Sequence, residues 1–151
     1  MRHTSLLRCL LLPCALSGMA SPATPCSCAP DRTIQDQLAE AEVVFRGITL
    51  SRDEYHAPAG APELDTGYAV RFRVLEVWKG TPDREFVVVS GPGNCRFPHE
   101  VGEAYLVFAA RWPKAGRQFW TNRCAGTRPA TAEEATAVLG SPKSALRSTS
   151  Q

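Results

Sequence analysis

Tyr68-Ala69-Val70-Arg71-Phe72-Arg73-Val74-Leu75-Glu76-Val77-Trp78 is the stretch that decides the fold class. Tyr68, Val70, Phe72 and Val74 fall on one face, and Arg71 and Arg73 on the other. That period of two is what a strand with one buried face imposes. Lys79-Gly80-Thr81-Pro82-Asp83 follows as a turn. Downstream, residues 86–89 read as a short buried strand ended by Gly91-Pro92-Gly93-Asn94. Residues 103–110 and 118–122 supply two more. Upstream, residues 43–52 are β-branched and strand-like, while 53–66 carry Pro58, Gly60 and Pro62 and read as a loop.

Short helices flank the strands. Thr33 and Asp36 stand in a capping-box arrangement, and Ile34, Leu38 and Ala41 share one helical face. Residues 131–139 form a closing helix that Gly140 ends. Residues 140–151 are Ser-rich and lack apolar periodicity, so a flexible tail is expected there. The pattern predicts one all-β domain with short flanking helices. A five-stranded OB-fold barrel suits it, because closure removes exposed strand edges. A sandwich fits the same pattern.

The N-terminus carries export chemistry. Arg2 and Arg8 precede an apolar run from Cys9 to Ala20, and Gly18 and Ala20 give a small-x-small cleavage pattern. Residues 1–20 therefore read as a signal peptide, with cleavage possible as late as residue 23. The run is too short to span a bilayer, and no second one follows. The expected location is outside the cytoplasm, extracellular or periplasmic. Cys9 and Cys14 leave with the leader, so Cys26, Cys28, Cys95 and Cys124 remain. Four cysteines in an exported chain predict two disulfides. A Cys26–Cys28 bond would close a strained ring, so both are expected to reach downstream. Each bridge would close a loop of roughly 70–100 residues, about 4–5 kcal/mol in the chain-entropy picture. Cys-x-Cys lacks the spacing of a zinc knuckle, so no metal of its own and no cofactor are expected.

Charge narrows the partners. The chain has 17 basic and 15 acidic residues. Without Arg2 and Arg8 the balance is neutral, which argues against nucleic acid. Residues 104–132 nevertheless hold five bases and no acid. Arg111, Trp112, Lys114, Arg117, Trp120 and Arg123 form a candidate basic-aromatic surface for an acidic glycan or envelope partner. No catalytic motif is present: there is no His-Glu-x-x-His and no Gly-x-Ser-x-Gly. His56 and His99 read as solvated loop residues, Glu76 has no evident carboxylate partner, and an enzyme is not expected.

Cys26-Ser27-Cys28-Ala29-Pro30 near the leader is followed by Ala41-Glu42-Val43-Val44-Phe45-Arg46-Gly47. Next come Val74-Leu75-Glu76-Val77-Trp78-Lys79-Gly80, Cys95, Gly102-Glu103-Ala104-Tyr105-Leu106-Val107-Phe108-Ala109 and Cys124. In that order these segments resemble the inhibitory, netrin-like domain of the tissue inhibitors of metalloproteinases, in its compact bacterial form. The likeness covers residues 26–139. It implies an OB-type barrel and the disulfides Cys26–Cys95 and Cys28–Cys124. It also implies a mode of action on a zinc metalloprotease in trans. The free α-amine and carbonyl oxygen of an N-terminal Cys26 would chelate the protease zinc. Ser27 would enter the specificity pocket and Cys28 would anchor the wedge. Pro25 precedes Cys26, so the amine is free only if the chain is cut there. The resemblance implies an inhibitor; the composition alone fits a non-inhibitory extracellular binding module equally.

Overall fold

A computed structural model describes residues 26–56, 66–91, 93–111 and 118–146; the expected signal peptide lies outside them. The order is α1 (Ile34–Glu40), β1 (Val43–His56), β2 (Thr66–Lys79), β3 (Glu85–Ser90), β4 (Ala104–Arg111), β5 (Phe119–Thr121), β6 (Arg128–Pro129), α2 (Ala132–Leu139) and β7 (Ser144–Ala145). Single 3₁₀ turns occupy Gly93–Cys95 and Arg123–Ala125.

Five strands close into a barrel. β1 pairs with β2, β2 with β3, β4 with β5 and β1 with β4, all antiparallel. β3 and β5 complete the ring as a parallel pair. The circuit β1-β2-β3-β5-β4 is the five-stranded OB barrel expected from the sequence, and two disulfides staple it. Three register shifts in the β1–β2 ladder let β1 bend, so that its first half also pairs with β4. β6 and β7 are two-residue additions on β4 and β2.

The alternation in β2 has the predicted cause. Val70, Phe72 and Val74 are buried inside the barrel with Phe45, Val88, Tyr105 and Val107. β1 and β4 are different, because both of their faces are covered. Val44, Leu106 and Phe108 point outward and pack with Ala41, Ala130 and Ala135 beneath α1 and α2. Two buried faces explain why Val43-Val44-Phe45 and Tyr105-Leu106-Val107-Phe108 are continuous apolar runs. Both helices start with a capping box, on Thr33 and Thr131. Lys79 donates to the carbonyls of Leu38 and Ala39 at the C-terminus of α1, the end that favours a cation.

Two expectations change. The ladder of β1 with β2 runs on through Asp53, Glu54, Tyr55 and His56, where a loop was expected. Past Ile48 this arm no longer pairs with β4, so little of it is buried and the apolar signal fades while the pairing with β2 continues. The remainder of that loop, 57–65, lies outside the described residues. The expected tail begins too early as well. Lys143 donates to the Val77 carbonyl at 2.7 Å and Leu146 to that of Leu75 at 2.7 Å, and Trp78 Nε1 donates to the Gly140 carbonyl at 2.8 Å. Backbone pairing along β2 holds residues 140–146 without an apolar stripe, and 147–151 lie outside the described residues. Among the described residues no helix is long and apolar enough to cross a membrane.

Candidate functional site

The parallel pairing of β3 and β5 brings their C-terminal ends to one end of the barrel. Each strand leads into a 3₁₀ turn that carries a cysteine. After β3, the buried Ser90 hydroxyl donates to the Phe97 carbonyl and accepts from the Phe97 amide, at 3.0 and 2.9 Å. That fixes the turn bearing Cys95. After β5, Asn122 Oδ1 accepts from the amides of Cys124 and Ala125 at 2.8 and 3.0 Å. Arg123 Nε donates to the Arg96 carbonyl at 3.0 Å, joining the two turns.

The chain before α1 lies across this end. Cys26 bonds Cys95 and Cys28 bonds Cys124, with Cα–Cα distances of 4.9 and 5.2 Å. The two bridges touch: Sγ of Cys26 lies 3.6 Å from Sγ of Cys124. Ser27, between them, is exposed. A three-residue ridge is thus fixed at both ends with its central side chain in solvent. The chain then enters α1 through Thr33, whose hydroxyl and amide bonds to Asp36 hold that carboxyl below its usual range. Arg32, ahead of the helix, pairs with Glu40.

A cleft of about 460 Å³ adjoins the ridge. Gln37 and Glu40 of α1, Phe108 and Arg111 of β4, and Trp120 of β5 line it, along with Cys95 and Cys124. Trp120 Nε1 and Arg32 Nε are buried without a hydrogen-bond partner among the described residues. The α1 lining residues carry no local sequence signal; only the packing of α1 on β4 brings them here.

The candidate basic-aromatic residues are placed in part. Arg111 and Trp120 meet at the cleft. Arg111 also reaches Glu42 at 3.3 Å and lies over the Phe119 ring at 4.8 Å. Trp120 is 7% exposed and packs edge-on against Tyr55, so most of its indole is committed to the fold. Arg123 sits on the Cys124 turn. Trp112, Lys114 and Arg117 lie outside the described residues.

One single-residue expectation is corrected. His99 is fully buried, not solvated. The rings of Phe97, Tyr105 and Phe72 surround it at centroid distances of 4.7, 5.0 and 5.3 Å. Neither ring nitrogen has a hydrogen-bond partner among the described residues. Burial pushes its pKa down to about 4; the Phe97 backbone nearby acts in the opposite direction without meeting hydrogen-bond geometry at either nitrogen, and the Arg52 charge adds to the lowering. Glu76 is paired with Arg46 at 2.6 Å across the β1–β2 ladder. His56 is exposed near Glu54 at the end of β1.

Compared with known proteins, the chain matches no family model, and none of the curated proteins matches it.

Proposed function

We propose that this chain is an exported inhibitor of zinc metalloproteases whose working edge is Cys26-Ser27-Cys28. The observation that carries this reading is the exposed Ser27 held between two disulfides that touch each other. A ridge fixed in this way loses little conformational entropy on docking. With Cys26 as the first residue, its amine nitrogen and carbonyl oxygen can close a five-membered chelate on the protease zinc. That displaces the zinc-bound water, the nucleophile the protease needs. Ser27 then meets the protease pocket with a small hydroxylated side chain. An amide nitrogen cannot serve in the same way, because its lone pair is delocalised into the carbonyl. The free amine is therefore the switch on which inhibition depends.

Intact mass of the exported protein gives its first residue, and inhibition assays on zinc metalloproteases give the activity. Protein beginning at Cys26 is expected to inhibit, and the same protein with one alanine added ahead of Cys26 is not. Equal inhibition by both would refute the chelate. No inhibition by the Cys26 form would refute the function.

The meeting of Arg111 and Trp120 at the cleft favours a second reading, a non-inhibitory extracellular module for an acidic glycan or envelope partner. Retention on immobilised heparin that is lost in Arg111→Glu supports it; retention unchanged by that substitution removes it.

A further inference from the structure

The sulfurs of Cys26, Cys28 and Cys124 share one small volume, and Cys95 is bonded to the first of them. The Sγ atoms of Cys26, Cys28 and Cys124 all lie within 4.8 Å of one another, and Cys26 to Cys124 is 3.6 Å. Cys95 Sγ is bonded to Cys26 Sγ. A tetrahedral zinc tetrathiolate has Zn–S bonds of about 2.3 Å, which sets its sulfurs roughly 3.8 Å apart. The Cys26–Cys124 separation between the two bridges is already near that value. Once the S–S bonds open, each former pair need only part by side-chain rotation.

We infer that the reduced chain holds a zinc site made of Cys26, Cys28, Cys95 and Cys124. Two of the ligands are positioned without the disulfides. Cys95 stands on the turn fixed by Ser90, and Cys124 on the turn capped by Asn122. The Arg123–Arg96 hydrogen bond ties those turns together. Cys26 and Cys28 arrive on one short segment and complete the set. Their spacing differs from the usual two to four intervening residues, yet the fold supplies the proximity that local spacing does not.

The chemistry balances with a dithiol or phosphine reductant. Each disulfide takes up two electrons and two protons and gives two thiols. One Zn²⁺ then displaces four protons as four Zn–S bonds form. Two equivalents of a small-molecule disulfide, each taking up two electrons and two protons to become two thiols, return both protein disulfides and release the ion. The ridge would thus have two locked forms, one covalent and one metal-bound, and this holds whether or not the oxidised form inhibits a protease.

The test uses the full chain carrying Cys9→Ser and Cys14→Ser, leaving only these four cysteines. It is reduced with a phosphine without oxygen and titrated with Co²⁺ as an optical substitute for zinc. One equivalent is expected to give the visible bands and sulfur-to-cobalt charge transfer of a tetrahedral tetrathiolate, and one equivalent of Zn²⁺ is expected to bleach them. Adding Cys26→Ser and Cys28→Ser should cut the charge-transfer intensity to about half or less, in proportion to the sulfur ligands removed. If the reduced chain loses its β-sheet circular dichroism, zinc should restore it. An octahedral cobalt spectrum overturns the inference. So does charge transfer that survives the loss of Cys26 and Cys28 undiminished, or a reduced, unfolded chain that zinc leaves unfolded.

Discussion

Acid should destabilise this protein through His99, and the size of the effect follows from where that ring sits. It lies among Phe72, Phe97 and Tyr105 with no partner for either nitrogen among the described residues. The charges nearest its segment are Arg52, which donates to the His99 carbonyl at 2.9 Å, and Glu100, which Arg52 reaches at 4.0 Å. Burial, opposed by the Phe97 backbone and aided by Arg52, lowers the pKa from 6.5 to about 4. Above the unfolded pKa the ring is neutral in both states and contributes no pH dependence. Between the two values the unfolded chain binds a proton that the native chain refuses, so stability falls as pH falls. Below the folded value both states are protonated and the slope ends. The full loss is about 3 kcal/mol, of which about 2.5 is reached by roughly pH 4.5. The assay is urea denaturation with both disulfides intact, at about pH 7.5 and pH 4.5. His99→Leu should retain the fold, because it replaces two unpaired nitrogens with a side chain of similar size. Its stability should fall between those two pH values by about 2.5 kcal/mol less than that of the unsubstituted protein. Asp36 and Glu134 also have lowered pKa values, but both proteins share them, so the comparison isolates the ring. Equal acid sensitivity in the two proteins would refute the argument, as would an NMR titration midpoint for His99 near its ordinary value.

Three further outcomes are expected. Arg46→Ala strands Glu76, whose side chain is 19% exposed; a loss of about 1–3 kcal/mol in urea denaturation is expected, and strict additivity with Glu76→Ala would show that the pair is not coupled. Gly126 has φ +97, and a Cβ there would run into the Gln37 side chain. Gly126→Ala should therefore cost about 2 kcal/mol and lower the melting temperature by several degrees, whereas an unchanged melt would mean that α1 yields freely. Opening one bridge by Cys28→Ser with Cys124→Ser leaves the other in place, so the freed loop is effectively about 30 residues and the loss about 3–4 kcal/mol; a loss below about 1 kcal/mol, read by denaturation under non-reducing conditions, would mean that the bridge adds little constraint to the unfolded chain.

Much of the barrel was legible because its signals are local. The alternation in β2 follows from one buried face, and the boxes at Thr33 and Thr131 need only three residues each. Regions where pairing exceeds burial were not legible. The polar arm of β1 and the segment around Ser144 are held by backbone hydrogen bonds, which side-chain patterning does not report. His99 was misread for the opposite reason. A polar residue beside Pro98 resembles a loop residue until three aromatic side chains from separate segments close over it.

The candidate site divides in the same way. Cys26, Ser27 and Cys28 were identifiable as a closely spaced cysteine pair, and the four cysteines from Cys26 onward predicted two bridges. Composition and local pattern determined a small all-β chain with two helix starts and an even set of cysteines from Cys26 onward, because those properties are read from the chain without its folding. The closed order β1-β2-β3-β5-β4 and the shared end of β3 and β5 were decided by tertiary structure. So were the contact between the two bridges, the enclosure of His99 and the meeting of α1 with Arg111 and Trp120. Each of these joins residues tens of positions apart, and their separation in space is set by barrel closure, which no local window of sequence encodes.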